Sequence, residues 1–186
     1  MGIARFGKVA PEVDKRAMKE AKRRRQQRAA PHLSEAEQTS AARTTKQNCD
    51  ALVPGYIGDR MHWDLFVSDC ASTDRFTEAI VAQCKRISSL YPGAPLKDGV
   101  TEDPSWRFYR CEGHNDGSMC SHHDAGWKCM YIVAVDFGIH AKALERATIS
   151  AFRDDANLAG RSWNAVDGGD GPIKDNVAYF LYVLFR

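Results

Sequence analysis

No apolar run in this 186-residue chain approaches the roughly 18 to 20 residues of a membrane span, so no transmembrane helix is expected. The N-terminus lacks the apolar core of a signal peptide, and Phe6 stands where a myristoylated chain carries Ser or Thr. Organelle transit peptides are poor in acids, whereas the Arg-rich start here includes Glu12, Asp14 and Glu20. The expectation is an intracellular protein, cytoplasmic or nuclear, with organelle targeting left open. No Gly-x-Ser-x-Gly is present and no Ser-His-Asp order is readable, which removes the common serine-hydrolase patterns. The run Gly168-Gly169-Asp170-Gly171-Pro172 lacks the Lys and Ser/Thr of a P-loop and precedes a strand rather than a helix. It reads as a turn, not a phosphate cradle. There are no internal repeats.

What is there begins with charge. The formal net charge is +2, but residues 1–50 hold 12 Lys/Arg against 6 Asp/Glu, while residues 51–186 hold 14 against 18. The positive charge belongs to the arm. Six cysteines (49, 70, 84, 111, 120 and 129) carry no sign of secretion, so reduced thiols or metal ligands are expected rather than disulfides.

The chain divides at about residue 50. Residues 1–50 form a basic, polar, helical extension, with one helix over Asp14–Arg28 ended by Pro31. A second starts near Glu35, where Ser34-Glu35-Ala36-Glu37 fits a capping box. Residues 51–186 form the domain. Gly55-Tyr56-Ile57 and Leu65-Phe66-Val67 read as short strands and Asp74–Leu90 as a helix. Residues 92–104 read as a loop, Trp106–Tyr109 as a strand and 111–126 as a Cys/His/Gly loop. The nearly continuous apolar run Lys128–Phe137 implies a central strand, and Ala178–Phe185 a terminal one. The fold class is a small α/β (α+β) domain, one sheet with two main flanking helices.

One carboxylate breaks its own pattern. At 100° per residue, Ala141–Arg153 gives a polar arc of Lys142, Arg146, Ser150 and Arg153. The opposite arc carries Ala147, Ala151, Leu144, Thr148, Phe152 and Ile149, and Glu145 falls inside it. An unpaired carboxylate there costs roughly several kcal/mol unless a cation, a metal or hydrogen-bond donors compensate. Glu145 is therefore either a functional group or half of a structural pair with Arg75, Arg107 or Arg161. His140, just before, is a base or an ordinary polar residue at the helix start.

Two further groups carry chemistry. Cys111, His114, Cys120, His122 and Cys129 are zinc-type ligands, although their spacing is not that of a standard knuckle. The alternative is buried cysteines and solvated histidines. In the arm, Lys19, Lys22, Arg23, Arg24, Arg25 and Arg28 make a dense cationic stretch suited to nucleic-acid phosphates, or else a solvated or disordered tail or a localisation signal.

The pattern over residues 52–175 resembles the GIY-YIG nuclease domain. Gly55-Tyr56-Ile57 stands for the first name motif and Phe66-Val67-Ser68 for the second, with Phe and Ser replacing its Tyr and Gly. Arg75 falls where the family's Arg begins its helix. Leu144-Glu145 matches the Leu-Glu of the metal-binding helix, and Trp163-Asn164 before Gly168-Gly169 matches the Asn-plus-glycine ending. A Cys/His-rich insertion at about 92–127 lies outside the minimal pattern. The resemblance implies metal-dependent phosphodiester hydrolysis of nucleic acid with Mg²⁺ or Mn²⁺ on Glu145, Arg75 neutralising phosphoryl charge, Tyr56 acting on the water and Asn164 supporting the Glu145 helix. The competing expectation is a non-enzymatic nucleic-acid-binding or assembly protein on the same scaffold, stabilised by Zn²⁺ on the Cys/His loop. Oligomeric state is not readable.

Overall fold

In a computed structural model of the full chain, the described residues are 18–22, 30–52, 60–67, 73–109, 121–164, 168, 173–174 and 176–186. The chain separates into two units, 1–30 and 31–186. In the first, residues 18–22 are helical and exposed. The second takes in the capping-box helix, which the sequence reading set in the N-terminal extension.

That helix, α1 (Glu35–Leu52), starts as its sequence dictates. Ser34 Oγ donates to Glu37 Oε2 at 2.6 Å, and Ser34 N–H reaches the same oxygen at 2.8 Å. The reciprocal bond from Glu37 N–H to Ser34 Oγ is longer, at 3.4 Å. Polar though it is, α1 buries Gln38, Ala42 and Cys49. Gln38 Nε2 donates to the Leu33 carbonyl at 2.8 Å, which fixes the turn entering the helix.

The sheet has four strands in the order β1-β3-β4-β2. These are β1 (Met61–Trp63), β2 (Leu96–Thr101), β3 (Cys129–Phe137) and β4 (Ala178–Phe185). β1 runs parallel to β3, and the other two pairings are antiparallel. The apolar runs of β3 and β4 lie adjacent at its centre, as a strand buried on both faces requires. Helices α2 (Thr73–Ser89) and α4 (Gly138–Asp154) cover one face with Phe76, Ile80, Cys84, Leu144 and Phe152 against Val133, Leu181 and Val183. Helices α1 and α3 (Pro104–Tyr109) cover the other, where Cys49 and Phe108 join Trp127, Met130, Ile132 and Tyr182. Among the described residues no helix is long and apolar enough to cross a membrane.

Three expectations need correction. The 92–104 segment is not all loop but contains β2, whose Lys97-Asp98-Gly99 interrupts the apolar alternation. Residues 106–109 are helical rather than extended. Asp103 Oδ1 accepts from Ser105 Oγ (2.8 Å) and Trp106 N–H (2.9 Å), and Pro104 opens α3. This is the Asp-cap and first-turn Pro combination that starts helices. Residues 65–67 lie beyond β1, although Phe66 N–H still reaches the Val133 carbonyl at 2.8 Å.

A candidate carboxylate site on the edge strand

β2 is an edge strand, and its outer side is closed by the segment after α4. Ser162 bridges Leu96, and Trp163 N–H donates to the Leu96 carbonyl at 2.8 Å. Asn164 then imitates a strand backbone. Its Oδ1 accepts from Asp98 N–H at 3.1 Å, and its Nδ2 donates to the Asp98 carbonyl at 2.8 Å. Its own carbonyl accepts from Arg153 Nη2 of α4 at 3.0 Å. Asn164 thus ties β2 to α4, where the resemblance gave it support of the helix alone.

The residue so clamped is the chemically unusual one. Asp98 is 1% exposed, and neither carboxylate oxygen finds a hydrogen-bond partner among the described residues. Burial, and then the neighbouring Glu145 carboxylate, push its carboxyl up to about 8, against the smaller opposing pull of its own backbone amide, Arg153 and Lys97. Glu145 is half-buried on α4. Gly168 lies over it at φ +76°, so close that a Cβ there would stand 3.0 Å from Glu145 Cγ and 2.7 Å from Ile149 Cδ1. Lys97 is lowered by burial and by Arg107, and raised in turn by Glu145 and Asp98. Two carboxylates share this region, and the deeper one is held as the acid when nothing replaces its proton. Oxygen ligands of this kind suit a hard divalent cation.

On the opposite face of the sheet, Tyr182 sits over Gly99, its register partner, where a Cβ would come within 2.5 Å of the hydroxyl. That hydroxyl and His122 Nε2 are 2.9 Å apart. Burial, then Arg107 and Lys97, hold His122 down at about 3, so the ring is neutral. His122 and Cys129 face opposite sides of the sheet, because Cys129 packs with Phe185 and Leu96 on the α2/α4 side. They are not brought together as ligands of one ion. Cys111, His114 and Cys120 lie outside the described residues, as do Tyr56, Arg23, Arg24, Arg25 and Arg28. Lys19 and Lys22 are exposed on their helical turn, and Arg75 is exposed in the first turn of α2. Arg161 is taken up by carbonyls at the end of α2, with Nη2 2.7 Å from the Tyr91 oxygen and Nε 2.8 Å from that of Ala94. Lys142, expected on the polar arc, is buried.

A second group joins residues that the sequence reading left apart. His32 Nδ1 and Asp136 Oδ2 are 2.7 Å apart, and the His32 and His140 rings stack with centroids 3.5 Å apart. Asp136 is fully buried and His140 nearly so. The donor atoms of the three all lie within 4.8 Å of one another.

No protein-family model, curated protein or solved structure matches this chain.

Proposed function

We propose that the 31–186 unit hydrolyses phosphodiester bonds in nucleic acid with a divalent cation held at Asp98 and Glu145. The observation that carries this reading is Asp98: a buried carboxylate with both oxygens unpartnered among the described residues, beside a second carboxylate. Such oxygens fit Mg²⁺ or Mn²⁺ better than a softer ion. A cation bound there supplies Lewis-acid polarisation of the phosphate.

The remaining roles fall to the chain itself. Asn164 fixes β2 against α4 and so sets the spacing of the two carboxylates. Arg75, exposed at the start of α2, neutralises charge on the phosphoryl oxygens, and Tyr56 orients the water; both roles come from the resemblance. The basic arm supplies sequence-tolerant affinity that the acidic remainder of the chain does not.

One observation favours the second reading, a binding or assembly protein on this scaffold: the Gly168 backbone lies against Glu145 and leaves it half-buried. The test is cleavage of labelled single- and double-stranded DNA and RNA with Mg²⁺ or Mn²⁺, by the wild type and Glu145→Ala. Metal-dependent cutting lost in the variant supports hydrolysis. Salt-sensitive binding without cutting by either protein supports the second reading.

A further inference from the structure

The His32, Asp136 and His140 group lies at the junction of β3 and α4, apart from the carboxylate pair. α4 follows β3 without a linker, so Asp136 near the strand end and His140 in the first helical turn project at the same end of the domain. His32 comes from 104 residues away and is anchored by its neighbour: Leu33 is buried in the core, and its N–H donates to Asp136 Oδ1 at 2.9 Å. Phe137 N–H donates to the same oxygen at 2.8 Å. Oδ1 is thus satisfied by two backbone donors, which turns Oδ2 toward His32 Nδ1.

The histidine contacts carry the second half of the argument. His140 Nε2 is 3.1 Å from the Pro31 carbonyl, which can only accept, so Nε2 carries a proton and donates there. A ring N–H held by a backbone carbonyl or carboxylate is the usual outer arrangement of a metal-ligating histidine. We propose that His32, Asp136 and His140 bind one borderline transition-metal cation of the Zn²⁺ class, which clips the 31–33 segment to the β3–α4 junction.

The ligand set selects the class. Two imidazole nitrogens and one carboxylate oxygen suit Zn²⁺ or Co²⁺, whereas Mg²⁺ and Ca²⁺ prefer oxygen ligands throughout. Ligand atoms around a tetrahedral zinc stand about 3.3 Å apart, given bonds of about 2.0 to 2.1 Å. The donor atoms here lie within 4.8 Å, and the His32–Asp136 contact opens by about half an ångström as the cation replaces the proton between them. The stacked rings cannot both aim a nitrogen at one ion, so His32, with 17% of its side chain exposed, is the ligand that turns out of the stack on His140, and its side is where the ion enters. Water takes the fourth position. The clip lies directly before the Ser34 cap, so the metal stabilises the start of α1.

The test uses the full chain, made without a His tag and stripped with chelator, titrated with Co²⁺ and compared with His32→Gln and His140→Gln. The wild type should bind one more Co²⁺ than either variant. The difference spectrum should show visible d–d bands and no thiolate-to-cobalt charge-transfer band, which separates this site from any ion on the Cys/His loop. Zn²⁺ should displace the cobalt at equimolar concentration, and a hundredfold excess of Mg²⁺ should not. Should the buried His140 variant fail to fold, the partly exposed His32 variant decides alone. Equal stoichiometry in wild type and His32→Gln, no cobalt binding at all, or a thiolate band in the difference spectrum would each overturn the proposal.

Discussion

Replacing Asp98 by Asn makes the protein more stable near neutral pH, in chelator, by an amount that grows with pH. In the folded protein the Asp98 carboxyl titrates at about 8, above its reference value of 3.8. A raised carboxyl pKa means that the native state holds its proton while the unfolded chain has released it. The stability tied to that proton is fully present below about pH 4 and declines by about 1.4 kcal/mol per pH unit up to about pH 8. At pH 7 the accumulated loss is ~4 kcal/mol, and Asn is spared it. An amide in the same place has N–H groups to satisfy, which costs about 1–3 kcal/mol independently of pH. The net gain at pH 7 is therefore ~1–3 kcal/mol, and it reverses to a loss near pH 4. His122 acts oppositely: its folded pKa, about 3, lies below the reference 6.5, so stability rises with pH across that window. The two effects oppose each other in the wild-type profile between about pH 4 and pH 6.5. The difference between wild type and variant removes His122 and leaves Asp98 alone. Urea unfolding at half-unit steps from pH 4 to pH 8, with EDTA throughout, measures it. A difference that stays flat between pH 5 and pH 7 would refute the assignment of Asp98 as a buried acid.

Three other outcomes follow from the same contacts. Asn164→Ala removes both bonds to the Asp98 backbone and should cost ~1–3 kcal/mol in urea unfolding, with faster amide exchange confined to β2 and its neighbours. Gly168→Ala meets both a φ of +76° and the side chains of Glu145 and Ile149. It should lower stability by ~1–2 kcal/mol and weaken Mn²⁺ binding, measured by calorimetry, whereas an unchanged Mn²⁺ affinity would separate Gly168 from the site. Ser34→Ala breaks the capping box and should cost about 1 kcal/mol, read as a lowered Tm with the sheet core intact.

How far the sequence could be read depended on whether a signal was local. The capping box, the periodic face of α2, and the apolar runs of β3 and β4 each depend on neighbours a few residues away, and each formed where expected. β2 was missed because its polar middle is stabilised by distant partners, Asn164 on its edge and Tyr182 over Gly99. The α3 signal was present in Asp103-Pro104, but the alternating aromatics of 106–109 outweighed it. Glu145 was marked by its own helical wheel, and Asn164 and Gly168 stood out as an Asn followed by glycines. Asp98 had no such marker, since its burial arises only when α4 packs on β2. The contact between His32 and Asp136 spans 104 residues, beyond the reach of any periodicity.

The most direct test is single-turnover cleavage of a labelled nucleic acid in Mn²⁺ by the wild type and by Asp98→Asn. The wild type should cut, and the variant, which the argument above makes the more stable of the two in chelator at pH 7, should lose at least about a hundredfold in rate because one metal ligand is gone. Cutting at an unchanged rate by Asp98→Asn would contradict the placement of the cation at Asp98 and Glu145, and no cutting by the wild type on any substrate would contradict the hydrolytic reading itself.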